Sequence, residues 1–157
     1  MTTATVEARM NNPLLMFPDA FKAIQGLHEA TSAGGLPEVT VYMVHLRASQ
    51  INGCSFCCEM HSREMREAGE SDERIFTVAA WRETPFFTEA ERAALALTEA
   101  LTRLSDQADP VPDELWDEVR KNYDESAIAA LLIEIGLINV WNRVNVAVRQ
   151  VAGAHKA

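Results

Sequence analysis

The cysteines are the residues to read first for chemistry. All three in the chain lie in Cys54-Ser55-Phe56-Cys57-Cys58-Glu59-Met60-His61, and His61 follows Cys57 by four residues. Asn52-Gly53, just before, is a turn signal, and the residues after it read as a helix as far as Ala68-Gly69. On a helix, spacings of three and four put side chains on one face, a turn apart. Cys54 then sits where backbone N–H groups are unpaired and the helix dipole is positive, an environment that favours a thiolate. The C-x-x-C spacing brings two sulfurs within reach of a disulfide when the first stands at the helix end. His61, one turn beyond Cys57, can accept its proton or pair with its thiolate, the reactive form. The pattern predicts a redox-active dithiol at the start of a helix.

Two other chemistries use the same residues. Cys54, Cys57 and His61 offer three zinc ligands with His45 as a fourth, because a closed structural zinc site takes four. Buried cysteines also serve as small hydrophobes, which is the reading for Cys58, outside the C-x-x-C pair. The thioredoxin-type reading needs a βαβ context, and no segment of strand period occurs.

The elements that must position this site are helices. Pro18-Asp19 opens the first, stopped by Gly34-Gly35; His28 on it reads as an isolated, hydrogen-bonded helix histidine. Pro37 opens the second, which runs to about Gln50 with Val41, Val44, His45 and Ala48 on one face. The third begins near Cys54. Ser71 caps the fourth, which Pro85 ends after Trp81, and Thr88-Glu89-Ala90-Glu91 is a capping box for the fifth. A short sixth follows the Asp109–Pro112 linker. The last runs from about Ser126 to Val151, apolar nearly all round in its first half and therefore covered on several sides, as a central helix or a subunit interface. Residues 1 to 16 show no period and are expected on the surface. The expectation is an all-α fold of about seven helices, one domain over residues 1–157.

If the second and third helices form a hairpin about Asn52, a rise of about 1.5 Å per residue fixes which residues are level. Tyr42 lies about 12 Å back from Gln50 and His61 about 10 Å along from Cys54, so they are level, and His45 is level with Cys57 and Cys58. Both histidines and Tyr42 are expected to face one pocket beside the thiols.

The net charge of −9, with no basic stripe, excludes the phosphate contacts that nucleic-acid binding rests on. The longest apolar run, Ala127–Trp141, is interrupted by Glu134 and Asn139 and is shorter than the ~20 residues of a membrane span, so no membrane role is expected. Glu134 is expected to pair with an arginine such as Arg143, since buried charges are usually paired. The N-terminal residues lack the apolar stretch of a leader. Clustered cysteines without one fit a reducing cytoplasm. No glycine-rich dinucleotide fingerprint occurs, so no cofactor is implied.

The stretch Leu46-Arg47-Ala48-Ser49-Gln50-Ile51-Asn52-Gly53-Cys54-Ser55-Phe56-Cys57 followed by His61, with Ala80-Trp81-Arg82-Glu83-Thr84-Pro85 and Asn139-Val140-Trp141-Asn142-Arg143, resembles the AhpD-like alkylhydroperoxidase branch of the carboxymuconolactone decarboxylase family, over roughly residues 15 to 150. The resemblance implies an AhpD-like helical fold with the Cys-x-x-Cys at a helix start in a central hairpin, and a homo-oligomer, commonly a trimer or hexamer. It implies peroxide reduction in which Cys57 attacks the peroxide and becomes a sulfenic acid, Cys54 resolves it to a disulfide, an external dithiol regenerates the pair, and His61 serves the proton relay. The family's relay glutamate lies twelve residues before the first cysteine, where this chain has Tyr42. A phenol with a pKa near 10 is no base near neutrality, so His45 is expected to take part of that role, with Glu38 a weaker substitute. Two further functions stay open: a redox-sensing or partner-binding oligomer without sustained turnover, and a decarboxylase, a chemistry with no need for two cysteines.

Overall fold

A computed structural model describes residues 5–154 of the chain. Its boundaries follow from local chemistry. The Asn12 side chain accepts from Leu14 N–H and caps α1 (Pro13–Met16), and Pro18 opens α2 (Pro18–Thr31). α3 (Glu38–Asn52) stops at Gly53, whose φ of 70° is the left-handed conformation that glycine adopts freely. α4 (Ser55–Glu67) begins at once, with Cys54 as its N-cap residue. Ser71 caps α5 (Asp72–Thr77), and a 3₁₀ stretch over Val78–Glu83 continues it. The Thr88/Glu91 capping box opens α6 (Glu89–Thr102), and α7 (Asp113–Asn122) and α8 (Glu125–Val148) complete the order.

There are thus eight α-helices and no strands among the described residues. The helix beyond the expected seven is α1, whose four residues are too few to show a period. Of the unpatterned N-terminal stretch, residues 1–4 lie outside the described residues, and 5–11 are exposed as expected.

α3 is the centre, packed on α4, α6 and α8. Met43 and Leu46 enter one core cluster with Met65 and Trp81, while Val44 enters a second with Leu97 and Leu131. The single stripe expected on this helix is therefore too narrow: α3 is covered on several sides. Glu99 on α6 ties that helix to α3 and to the 3₁₀ stretch. Its buried carboxylate accepts from Arg47 (2.7 Å), Trp81 (3.0 Å) and Arg82 (2.6 Å). Burial raises its pKa, but these donors outweigh burial and hold it below the usual carboxylate range. α8 is long and apolar enough by composition to cross a membrane, but half of its apolar window is buried as a core helix against α2, α3 and α6.

Candidate active site

Cys54 and Cys57 form a disulfide across 5.3 Å between their Cα atoms, and both are buried. The Cys54 sulfur accepts the Cys57 backbone N–H at 3.3 Å, taking the place of a serine or asparagine cap. Asn145 Nδ2 donates to Cys57 Sγ at 3.3 Å. In the reduced protein these donors and the α4 N-terminus favour a thiolate. The four-ligand zinc alternative has both of its sulfurs tied in the disulfide. Cys58 packs half-buried against the Met43 and Leu46 cluster, and burial pushes its thiol up, as the packed-neighbour reading expects.

The turn that carries the dithiol is pinned to α8. Asn52 Nδ2 donates to Asn139 Oδ1 (3.0 Å) and Asn142 Oδ1 (2.9 Å), and Asn142 Nδ2 donates to Ser49 Oγ (3.0 Å). With Asn145, these asparagines stand at every third position along the C-terminal half of α8, which keeps them on one face.

His61 Nδ1 lies 2.7 Å from Glu64 Oε2. An ionised carboxylate only accepts, so the network assigns the proton to Nδ1 and leaves Nε2 a free base. That Nε2 is buried and has no hydrogen-bond partner among the described residues. Burial pushes the His61 pKa down to about 4, with the Glu64 hydrogen bond pulling the other way. His61 is therefore neutral near pH 7. Burial pushes Glu64 up, but its bond to His61 and the attraction of neighbouring groups such as Arg63 together outweigh that and hold it below the usual range.

A second carboxylate serves His45. Glu134 on α8 is buried; its Oε2 lies 2.9 Å from His45 Nε2, its Oε1 2.9 Å from His28 Nδ1, and Thr31 Oγ1 also donates to it. Burial opposes its ionisation, but the bonds from His45, Thr31 and His28 outweigh burial and bring its pKa to about 2. This corrects two expectations. Glu134 pairs with imidazoles, and Arg143 donates instead to the Asn139 backbone and side-chain oxygens, at 3.0 and 2.8 Å. His28 is no isolated helix histidine but a partner of the same carboxylate.

His45, His61, Tyr42 and Cys57 line one cavity of about 420 Å³, as the level estimate expects, and the two imidazole centroids stand 4.9 Å apart. Tyr42 donates to Glu38, and this bond first, then burial, pushes its pKa up to about 12. It stays a phenol, and its proton is committed. The carboxylates next to the imidazoles come from elsewhere: Glu64 on α4 and Glu134 on α8. The same cavity is also lined by Phe21, Ile24, Phe56, Met60 and Leu137, and by Trp141, which is in edge contact with Phe21 at 6.0 Å.

A helical fold of this order, with a Cys-x-x-Cys disulfide opening the second helix of a central hairpin, defines an AhpD-like protein. The chain belongs to the carboxymuconolactone decarboxylase family, whose model matches residues 18–100. It is similar to the uncharacterized protein YdfG of Bacillus subtilis, 37% identical over 130 residues that make up 83% of this chain and 87% of that protein. Among solved structures it is similar to ATU0492 of Agrobacterium tumefaciens, a protein of unknown function proposed to be the antioxidant defence protein AhpD. That match has 35% identity and a TM-score of 0.86, and covers 94% of this chain and 99% of that one. An uncharacterized peroxidase-related protein from Silicibacter shares the fold at 16% identity with a TM-score of 0.78, covering 99% of this chain and 96% of that one.

Proposed function

We propose that this protein is a thiol-dependent peroxidase of the AhpD type, cycling Cys54 and Cys57 between dithiol and disulfide. The observation that carries the reading is the Cys54–Cys57 pair at the N-terminus of α4, with Cys57 in the wall of a cavity that also holds a neutral imidazole oriented by a carboxylate. His61 Nε2 takes the Cys57 proton. The thiolate, held by Asn145 and the α4 N-terminus, attacks the peroxide and becomes a sulfenic acid. Cys54 displaces water from it, and an external dithiol reduces the disulfide. The Glu64–His61 arrangement supports this as an orienter–base pair supports a nucleophile. Stoichiometric peroxide added to the reduced protein tests it: two thiols per chain are lost with wild type, and no peroxide is consumed by Cys57→Ser.

The chain acts as a homo-oligomer, a trimer or hexamer in the pattern of its branch. Support comes from the outer face of α8, where Leu132, Ile133 and Val140 are exposed along an apolar helix. A second reading, a redox sensor without sustained turnover, is favoured by one observation: Tyr42 is tied to Glu38 and offers the thiols no base.

A further inference from the structure

We propose that His45, held by Glu134, is the general acid that protonates the departing oxygen, while His61, held by Glu64, is the base; this rests on the peroxidase reading above. The chemistry requires both. Cys57 thiolate attacks the terminal peroxide oxygen, the S–O bond forms and the O–O bond breaks. Sulfur is oxidised to the sulfenic acid, and the remaining oxygen leaves as an alkoxide, a strong base that must be protonated. Cys57, His45 and His61 are all buried, and the two imidazoles line the same cavity as Cys57.

Two imidazoles line the cavity, and their environments differ. His61 faces a half-buried carboxylate on its own helix, and its Nε2 is an unpartnered acceptor. His45 on α3 faces a fully buried carboxylate on α8 that also receives His28 and Thr31 from α2. The titratable groups around His45 are thus Glu134, His28, His61 and Glu64. Glu134 links the His45 ring to the His28 ring through two contacts of 2.9 Å. The half-exposed His28 ring, with its side chain 51% accessible, exchanges protons with solvent. A proton given up at His45 is resupplied along the His28–Glu134 path, and the unpartnered Nε2 of His61 is left to accept one. The sequence expects His45 to share the work of the base; its bond to Glu134 assigns it the other half.

The balance closes. His61 takes the Cys57 proton and His45 gives one to the alkoxide. Cys54 then attacks the sulfenic sulfur, the S–S bond forms, and hydroxide leaves as water with the proton held on His61. The Cys54 proton restores His45. Two thiol protons end on one alcohol and one water.

The test compares leaving groups on the reduced full-length chain. Rates are measured with tert-butyl hydroperoxide, which expels an alkoxide, with peracetic acid, which expels acetate and needs no acid, and with iodoacetamide, whose labelling of Cys57, located by fragmentation mass spectrometry, reports its thiolate without an oxidant. General acid catalysis contributes roughly 10²–10⁴. His45→Gln and Glu134→Gln should therefore slow the hydroperoxide about 100-fold while changing the peracid and the alkylation by less than about threefold. His61→Gln should slow all three reagents. A circular dichroism spectrum and urea midpoint like those of wild type show that a variant is folded, and His28→Asn, at an exposed position, should show a weaker loss of the same selectivity. Equal loss with both oxidants in His45→Gln, or no loss with either, overturns the assignment. A wild type that is alkylated but inert to both oxidants overturns the peroxidase reading itself, and the assignment with it.

Discussion

Replacing Glu64 by glutamine removes the negative charge next to His61 while keeping the side chain's size. The bond lost is a charge-assisted one of 2.7 Å, and the Glu64 side chain is 28% accessible. Hydrogen bonds to charged groups contribute roughly 1.5–3 kcal/mol, and partial exposure places this one near the lower end. At 1.36 kcal/mol per tenfold change, about 1.5–2 kcal/mol corresponds to roughly a 10- to 30-fold loss. The loss falls on the step in which His61 becomes an imidazolium, because only then does the carboxylate face a full positive charge. The assay is iodoacetamide alkylation of Cys57 in the reduced protein across pH 5 to 9, with the labelled peptide identified by mass. Glu64→Gln should be slower throughout the neutral range, with its profile displaced to higher pH. Superimposable profiles would refute the orienter–base argument.

Three further outcomes follow from the geometry. Asn145→Ala removes a donor to Cys57 Sγ, and a net loss of about 0.5–1.5 kcal/mol should slow alkylation by roughly two- to tenfold; a rate equal to wild type would show that the bond matters only in the disulfide form. His61 is held at about 4 in the folded chain against 6.5 ordinarily, so between these values the unfolded chain binds a proton that the folded chain refuses. Stability should therefore fall as pH drops from 6.5 to 4, by up to about 3 kcal/mol, and the lowered pKa of Glu134 extends the loss below pH 4.5. Urea midpoints at pH 7 and 4.5 measure this, and His61→Gln should flatten the upper part of the slope; an unchanged slope would contradict it. Val140→Glu, on the outer apolar face of α8, should lower the mass by light scattering towards the 17.4 kDa of one chain, and an unaltered oligomer would exclude that face.

Local chemistry was legible in the sequence. The turn at Asn52-Gly53, the Thr88 capping box and the Ser71 cap are each set within four residues, and each forms where expected. The sharing of one cavity by Tyr42, His45, Cys57 and His61 could also be read, because it needs only a helical rise and a hairpin. Glu64, three residues after His61, lay on the same helical face and was readable by the same rule.

The carboxylate between His28 and His45 was not legible. Those pairings join residues 106 and 89 positions apart, and only the packing of α2, α3 and α8 decides them. Pairing Glu134 with Arg143 rests on the rule that buried charges find opposite charges, but nine residues are two and a half turns of a 3.6-residue helix, which puts the two on opposite sides. The family carboxylate's absence at Tyr42 was visible. The carboxylate that α8 brings to His45 appears only once the helices are packed.

The central claim is tested most directly by titrating the reduced chain with one equivalent of an organic hydroperoxide and mapping its cysteines by mass. The account predicts one alcohol formed per chain, a Cys54–Cys57 disulfide and a free Cys58, with Cys54→Ser stopping at a Cys57 sulfenic acid. Thiols that survive the peroxide, or a Cys57→Ser variant that consumes it as fast as wild type, would contradict it.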